Sequence, residues 1–129
     1  MKTEKDRILK TIIINNLEWQ AEDDGILRNW QKAVGYASSL GDRWRLPSIE
    51  ELISLIDFNK FDPACRIENC RSSYYWSSSP ITTSSNHAWN VYFYRGLMDY
   101  FNKDYHYYVR CVRDILVEVD KGEKWQQWI

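Results

Sequence analysis

The chain has 129 residues, enough for one domain with a substantial core, and its formal net charge of −1 argues against the basic footprint of a nucleic-acid-binding domain. The apolar run Ile12, Ile13 and Ile14 is far too short for a signal-peptide core or a membrane span. We therefore expect no export signal in this chain, which is cytoplasmic as given or carried to a cell or virion surface by a partner. With seven Trp and nine Tyr residues, some aromatic rings should lie on the surface.

The three cysteines do not form a disulfide framework. Cys65 and Cys70 are close enough to close a small loop in an oxidising compartment, and they remain thiols otherwise. Cys111 lies in an apolar stretch and is expected to be a buried small residue. Two neighbouring cysteines fall short of the four ligands of a structural zinc site, so we predict no metal and no cofactor.

The first predicted elements are two strands, Thr11 to Asn15 and Leu17 to Gln20, joined by a turn at Asn15 and Asn16. The acidic stretch from Glu22 to Gly25 follows. It lacks the regular ligand spacing of a calcium loop, so we interpret it as a solvated polar loop.

Two helices are predicted next. Asn29 is a good N-cap, apolar residues recur at helical spacing from Trp30 to Leu40, and Gly41 should end this helix. Pro47 keeps the residues before it extended, and Ser48 with Glu51 forms a capping box that starts a second helix, reaching about Phe58. We expect Arg45 to be a structural arginine paired with a carboxylate.

The second half is predicted to be mostly strands, which makes the chain α+β. An irregular surface loop from Asn59 to Ser73 leads to a short strand, Tyr74 to Ser78, and then to a Ser/Thr-rich loop, Pro80 to Asn86. The next strand alternates, so that one set of side chains should be buried and the other exposed. The buried set is Trp89, Val91 and Phe93, and the exposed set is Asn90, Tyr92 and Tyr94.

After a turn at Arg95 and Gly96, the stretch from Leu97 to Phe101 should return as a strand, followed by a loop from Asn102 to His106. The last strand is predicted from Tyr107 to Arg113, with an extension through Ile115, Val117 and Val119. We expect Trp44, Leu46, Leu52 and Trp76 to join the core. The tail with Trp125 and Trp128 is either a partner contact or an arm packed on its own domain.

The segment from Trp44 to Leu52, Trp-Arg-Leu-Pro-Ser-Ile-Glu-Glu-Leu, resembles the signature of the Lcl C-terminal (DUF1566) family. Further segments resemble motifs of that family in the same order: Asn16–Gln20, Trp30–Ala33, Tyr75–Ser79, Ala88–Phe93 and Val109–Arg113. The resemblance implies a single domain of the C-type-lectin-like and formylglycine-generating-enzyme-like superfold across residues 1–129. Residues 114–129 form an extension outside it.

An enzymatic role is not expected. The superfold includes an oxidase with paired cysteines near its C-terminus, whereas here only Cys111 lies in that half. The chain has no Gly-x-Ser-x-Gly elbow, and we expect no serine hydroxyl within hydrogen-bond reach of His87 or His106. Glu50 and Glu51 are explained by the positive end of a helix dipole.

The predicted contact surface is the stretch from Asn90 to His106, which mixes aromatic anchors with short polar groups as binding surfaces do. A second resemblance is to the variable proteins of diversity-generating retroelements, whose rewritten AAY codons never encode Lys, Glu, Gln, Met or Trp. Met98 and Lys103 would then be fixed positions. The predicted binding residues all carry permitted types: Asn90, Tyr92, Tyr94, Arg95, Leu97, Asp99, Tyr100, Phe101, Asn102, Asp104, Tyr105 and His106.

We therefore expect a non-enzymatic module that binds a protein or a cell-surface glycan through a Tyr-rich surface on a rigid frame. The first alternative is an adhesin-like domain that binds sulfated polysaccharide through Arg95, Lys103 and nearby basic groups. The second is a structural domain whose aromatic face is buried in a homo-oligomer.

Overall fold

A computed structural model describes residues 10–116. Over this range the chain forms two helices and two antiparallel three-stranded sheets, which confirms the predicted α+β class. The first sheet has the order β1–β2–β6 and the second β3–β4–β5. In chain order the elements are β1 (Thr11–Ile14), β2 (Leu17–Gln20), α1 (Trp30–Ser39), α2 (Ile49–Ile53), β3 (Tyr74–Ile81), β4 (Ser84–Tyr92), β5 (Leu97–Asn102) and β6 (Val112–Asp114).

The first sheet joins both ends of the described chain. Asn15 and Asn16 have φ angles of 56° and 64°, the left-handed conformation that a two-residue hairpin of this type requires. This confirms the predicted strand pair. β6 then pairs with the free side of β2, and Arg45 exchanges backbone hydrogen bonds of 3.0 and 2.9 Å with Val112.

Both helix starts are as predicted. The Asn29 side chain accepts a hydrogen bond from the Lys32 backbone N–H at 2.9 Å, and Ser48 and Glu51 form the complete capping box. Gly41, at a φ of 69°, ends α1. The predicted extension of the second helix to Phe58 is wrong. α2 ends at Ile53 because Ile56 forms a β-bridge with Cys65, an extended pairing that a helix cannot make.

The hairpin of β3 and β4 replaces the predicted Ser/Thr-rich loop. β3 continues through Pro80 to Ile81 and β4 already begins at Ser84. Serines serve here as strand residues: the Ser77 hydroxyl donates to the Trp89 carbonyl at 2.7 Å, and the Ser79 hydroxyl accepts from the Ile49 backbone N–H at 2.9 Å. The last strand is shorter than predicted, since Tyr107 and Tyr108 form only isolated bridges before β6.

Each face of the second sheet is partly covered by other elements. On one face Tyr75, Val91 and Phe93 pack with α2 and Trp19. On the other, Trp76 and Ala88 pack with α1. Buried residues from the loop between α2 and β3 join the first cluster, so the prediction that this loop only crosses the surface is wrong: Ala64, Cys65, Ile67 and Cys70.

Most predicted core residues are buried, with exposed fractions of 4% or less for Trp44, Leu46, Leu52, Trp76, Val91 and Phe93. Two predictions for β4 need correction. Trp89 is only half-buried at the edge of its cluster. Asn90, predicted to be exposed, is 0% exposed because β4 is the central strand and its second face is also covered.

The three cysteines are free thiols and buried, as predicted for Cys111. The Cys65 and Cys70 thiols hydrogen-bond each other, which lowers the pKa of Cys65 and raises that of Cys70. Within residues 10–116 no helix is both long and apolar enough to cross a membrane. Ile115 lies outside β6, and the predicted continuation through Val117 and Val119, with the tail to Trp128, falls outside the described residues.

Candidate functional site: an aromatic face on the second sheet

The main candidate site is a continuous set of rings on one face of the second sheet. The register pairs Tyr74 with Tyr92 on neighbouring strands, and their rings stack at 4.2 Å with an interplanar angle of 10°. Tyr74 also contacts Phe101 at 5.3 Å and Tyr107 at 5.0 Å. We call the whole set the aromatic face: Tyr74, Tyr92, Tyr94, Phe101, Tyr105 and Tyr107.

The two ends of the aromatic face are held by further ring contacts. At one end Tyr94 contacts Tyr92 at 5.8 Å and meets Phe61 edge-on at 6.3 Å. At the other, Tyr105 lies 5.7 Å from Phe101 and is 52% exposed. Because each ring is held by its neighbours, the face presents aromatic area with little side-chain entropy left to lose on binding.

Two hydroxyls of this face have raised pKa values. Burial raises the pKa of Tyr107 to about 12, and the electrostatic effect of the neighbouring Tyr74 is the second largest cause. Burial together with Tyr92 likewise raises the pKa of Tyr74. At Tyr74 and Tyr107 a ligand therefore meets phenol groups, which can both donate and accept hydrogen bonds.

The structure divides the twelve predicted binding residues. Tyr92, Leu97, Asp99 and Phe101 share one face by register, and Tyr94 and Tyr105 join them through ring contacts. Tyr100 lies on the opposite face, where its ring contacts Trp89 at 5.4 Å and His87 at 6.0 Å. Arg95, Asp104 and His106 are exposed in the connecting loops and Asn102 is half-buried. The prediction that Asn90 contacts ligand from an exposed position is wrong.

Sequence reasoning missed several residues that the fold adds to this region. Tyr74 and Tyr107 form the centre of the aromatic face, and Phe58 and Phe61 extend it along the loop after α2. The register of Tyr74 opposite Tyr92 could not be seen before the β3–β4 pairing was known. The two phenylalanines could have been noticed in the sequence, because they are large apolar residues three positions apart in an otherwise polar segment.

A buried polar centre lies away from the aromatic face. The Asp23 side chain is 2% exposed, accepts from Arg71 Nε at 3.0 Å and from the Tyr75 hydroxyl, and lies 3.5 Å from Arg110 Nη2. Arg110, itself 1% exposed, also donates to the carbonyls of Gln20 and Asn69. The prediction of a solvated acidic loop is therefore wrong at Asp23, which serves as a structural junction.

Within residues 10–116, Ser84 and His87 form a pairing that resembles a nucleophile and its base. The Ser84 hydroxyl and His87 Nδ1 are 2.8 Å apart, so the prediction that no serine hydroxyl lies within reach of His87 is wrong. The same hydroxyl accepts from the Asn86 backbone N–H at 3.3 Å, as a serine in a tight turn does. Among residues 10–116 no carboxylate bonds the second ring nitrogen of His87, so the pair lacks the third group of a triad.

Together, fold and site define a small α+β domain with an organised, half-buried set of aromatic rings on one face of its second sheet. The sequence profile of the Lcl C-terminal domain matches residues 13–113, most of the chain, and the protein belongs to that family. No curated protein matches the chain significantly.

Proposed function

We propose that this domain is a non-enzymatic binding module whose aromatic face contacts a protein or a cell-surface ligand. The observation that carries the proposal is the continuity of the rings from Tyr94 through Tyr92 and Tyr74 to Tyr105. Tyrosine is the residue type that binding surfaces use for large, rigid contact area. Five rings of this face are half-buried and Tyr105 is exposed, so part of each ring is open to a ligand.

The sulfated-polysaccharide alternative receives less support from the geometry. The Lys103 ammonium donates to the Ser85 carbonyl at 2.8 Å and lies 4.2 Å from the centre of the Trp30 ring. It is therefore engaged within the domain, at the opposite end of β5 from Arg95. A polyanion site normally needs several accessible cations close together.

The oligomer alternative rests on β5, an edge strand whose second side no described strand pairs. Leu97, Met98 and Tyr100 on this strand are 53%, 44% and 50% exposed. Unpaired edges are a template for another strand. Light scattering of the free protein separates this alternative from the main proposal, because an oligomer has a higher mass before any ligand is added.

The test is a selection of ligands followed by substitution of the aromatic face. The domain is screened against displayed random peptides and against an array of neutral and sulfated glycans. Tyr105→Ser should weaken the selected ligands at least tenfold, because aromatic anchors carry most interface energy. Leu97→Ser should also weaken them, because it removes exposed apolar area beside Tyr92 on the same side of the sheet. Ile13→Ser, an equally exposed apolar change on β1, should not. Ligands unaffected by Tyr105→Ser and Leu97→Ser would contradict the proposal.

Diversification by a retroelement is a further part of the proposal. Its only support is that the predicted binding residues between Asn90 and His106 are all of types that rewritten AAY codons can encode. It requires a near-copy of the DNA for this interval that differs mainly at adenines, close to a reverse transcriptase gene. The buried Asn90 should then vary less than the exposed Asp99 or Tyr105. Sequencing the surrounding DNA is the measurement, and absence of the copy would remove this part alone.

A further inference from the structure

An open pocket of about 460 Å³ lies beside the aromatic face, lined by Phe58, Asn59, Lys60, Phe61, Tyr94 and Arg95. Its two phenylalanines are among the most exposed large apolar side chains of residues 10–116, at 79% for Phe58 and 71% for Phe61. The volume is in the range of pockets that hold small ligands or single side chains of a partner.

The exposure of these rings does not come from a loose loop. The Asp57 and Lys60 backbone N–H groups donate to the Ala64 and Asp57 carbonyls, both at 3.1 Å, so the loop is closed on itself. Two further hydrogen bonds attach it to the end of β4: Asp62 N–H to Tyr94 O at 2.9 Å, and Ala64 N–H to Phe93 O at 2.7 Å.

The turn after β4 is shaped to receive this loop. Gly96 has a φ of 80°, and a Cβ there would lie 2.7 Å from Ile56 Cγ2 and 3.7 Å from Phe58 Cε1. Only glycine permits both the backbone conformation and the close approach. The phenylalanines are therefore held outward by a fixed backbone on both sides of the pocket.

The two charged residues that line the pocket, Lys60 and Arg95, are both positive. Arg95 lies 5.7 Å from the centre of the Tyr94 ring and has no carboxylate within 4.0 Å among the described residues. Lys60 pairs only loosely with Asp57, at 3.9 Å, with its side chain 53% exposed. None of the six lining residues is acidic.

We propose that this pocket binds an acidic peptide segment of a partner protein, in which an apolar or aromatic side chain stands next to a carboxylate. The apolar side chain packs between Phe58 and Phe61, and the carboxylate pairs with Arg95 or Lys60. The pocket adjoins the aromatic face through the contact of Phe61 with Tyr94, so the same partner can cover both. The proposal rests on the proposed function and names the kind of partner.

The experiment is a titration of the isotope-labelled domain, followed by amide resonances, with three acetylated and amidated tripeptides: Asp-Phe-Asp, Asp-Ser-Asp and Lys-Phe-Lys. Asp-Phe-Asp should shift the amides of Lys60, Phe61, Arg95 and Gly96. Asp-Ser-Asp and Lys-Phe-Lys should each bind at least fivefold more weakly, since each lacks one half of the recognised pair. Phe58→Ser and Arg95→Gln should weaken Asp-Phe-Asp by a similar factor.

Ile13→Ser is the matched control, because it removes an exposed apolar side chain from β1 and should leave the titration unchanged. Equal binding of Asp-Phe-Asp and Lys-Phe-Lys, or shifts outside the pocket, would overturn the proposal. So would a sulfated heparin disaccharide that shifts the same amides while Asp-Phe-Asp does not. The proposed function is judged separately, by Tyr105→Ser with ligands selected on the aromatic face.

Discussion

At the scale of single residues, Asn90 stands out because neither its amide oxygen nor its amide nitrogen has a hydrogen-bond partner among residues 10–116. It is 0% exposed and lies between Trp76 and Asp99 in the strand register. A buried polar group without a partner costs about 1–3 kcal/mol of stability. Its neighbours on this face contribute mostly apolar contact, so the fold would accept an apolar side chain here.

We predict that Asn90→Leu, which keeps the number of side-chain heavy atoms, raises the free energy of unfolding by about 1 kcal/mol and the Tm by about 4 °C. Calorimetry and urea unfolding measure both. Asn90→Ala removes the same amide but leaves a void, so it should be less stable than Asn90→Leu. A loss of stability in Asn90→Leu would mean that the amide is bonded in solution.

Glu51 combines three interactions in one carboxylate. It accepts from Arg45 at 2.8 and 3.0 Å and from the Ser48 backbone N–H at 2.9 Å. Burial alone would raise the pKa of Glu51, but the hydrogen bonds from Arg45 and Ser48 outweigh it and hold the pKa below its ordinary value. A carboxyl group whose pKa is lowered by folding stabilises the fold above its unfolded pKa and loses that contribution as the pH falls through the folded value.

We therefore predict that Glu51→Gln lowers stability by about 1 kcal/mol at pH 7, because glutamine can still accept from the Ser48 N–H but no longer forms the charged pair with Arg45. The difference from the wild type should shrink as the pH falls below about 4.5, the unfolded value. Glu50→Gln is the control, since Glu50 is exposed in the same first turn. Urea unfolding between pH 3 and 7 is the measurement, and a constant difference across that range would contradict the assignment.

At the scale of elements, β4 and β5 differ in how far their side chains support the fold. Phe93, which directly follows β4, is 1% exposed, whereas Leu97, the first residue of β5, is 53% exposed. Tyr92 and Tyr94, predicted from the period-two pattern to be exposed, are half-buried and contact neighbouring rings. They should contribute more to stability than that pattern suggested.

We predict that Leu97→Ser and Asp99→Ala change the free energy of unfolding by no more than about 0.5 kcal/mol. Phe93→Ala should cost about 3–5 kcal/mol, because it empties a well-packed core position. Tyr92→Ser should fall between these values, since it removes a stacked ring. Denaturant unfolding ranks the four variants, and a destabilising Leu97→Ser would place β5 in an interface.

Local signals in the sequence accounted for the parts of the fold that depend on neighbours in the chain. The Asn15–Asn16 turn, the Asn29 and Ser48 caps and the pairing of Arg45 with a carboxylate all follow from short spacings. These predictions are confirmed because the conformation of a helix cap or a turn depends mainly on residues a few positions apart in the chain.

Long-range packing accounts for the misses. A period of two predicts two faces but not that α1 covers the second one, so Asn90 could not be recognised as buried. The burial of Asp23 depends on Arg110 and Tyr75, which come from distant segments. Part of the aromatic face was predicted through Tyr92, Phe101 and Tyr105, but Tyr74 and Tyr107 joined it through strand register alone.

At the scale of the whole molecule, all three thiols lie in the interior, with exposed fractions of 2% for Cys65, 8% for Cys70 and 0% for Cys111. A buried thiol reacts only when the structure around it opens. We predict that a thiol reagent labels the native protein slowly and labels Cys111 last, because it needs the widest opening. Mass spectrometry at increasing urea concentrations measures this order, and rapid labelling of Cys111 in native buffer would contradict its packing.

The arrangement of the first sheet also has a consequence for synthesis on the ribosome. β2 lies between β1 and β6. β2 is synthesised early, and its second edge stays unpaired until β6, near the end of the described chain, has been synthesised. The second sheet uses only residues 74–102 for its ladder and can pair while translation continues. A nascent chain stalled before Val112 would therefore leave β2 with an open edge, and release of β6 is the event that closes the domain.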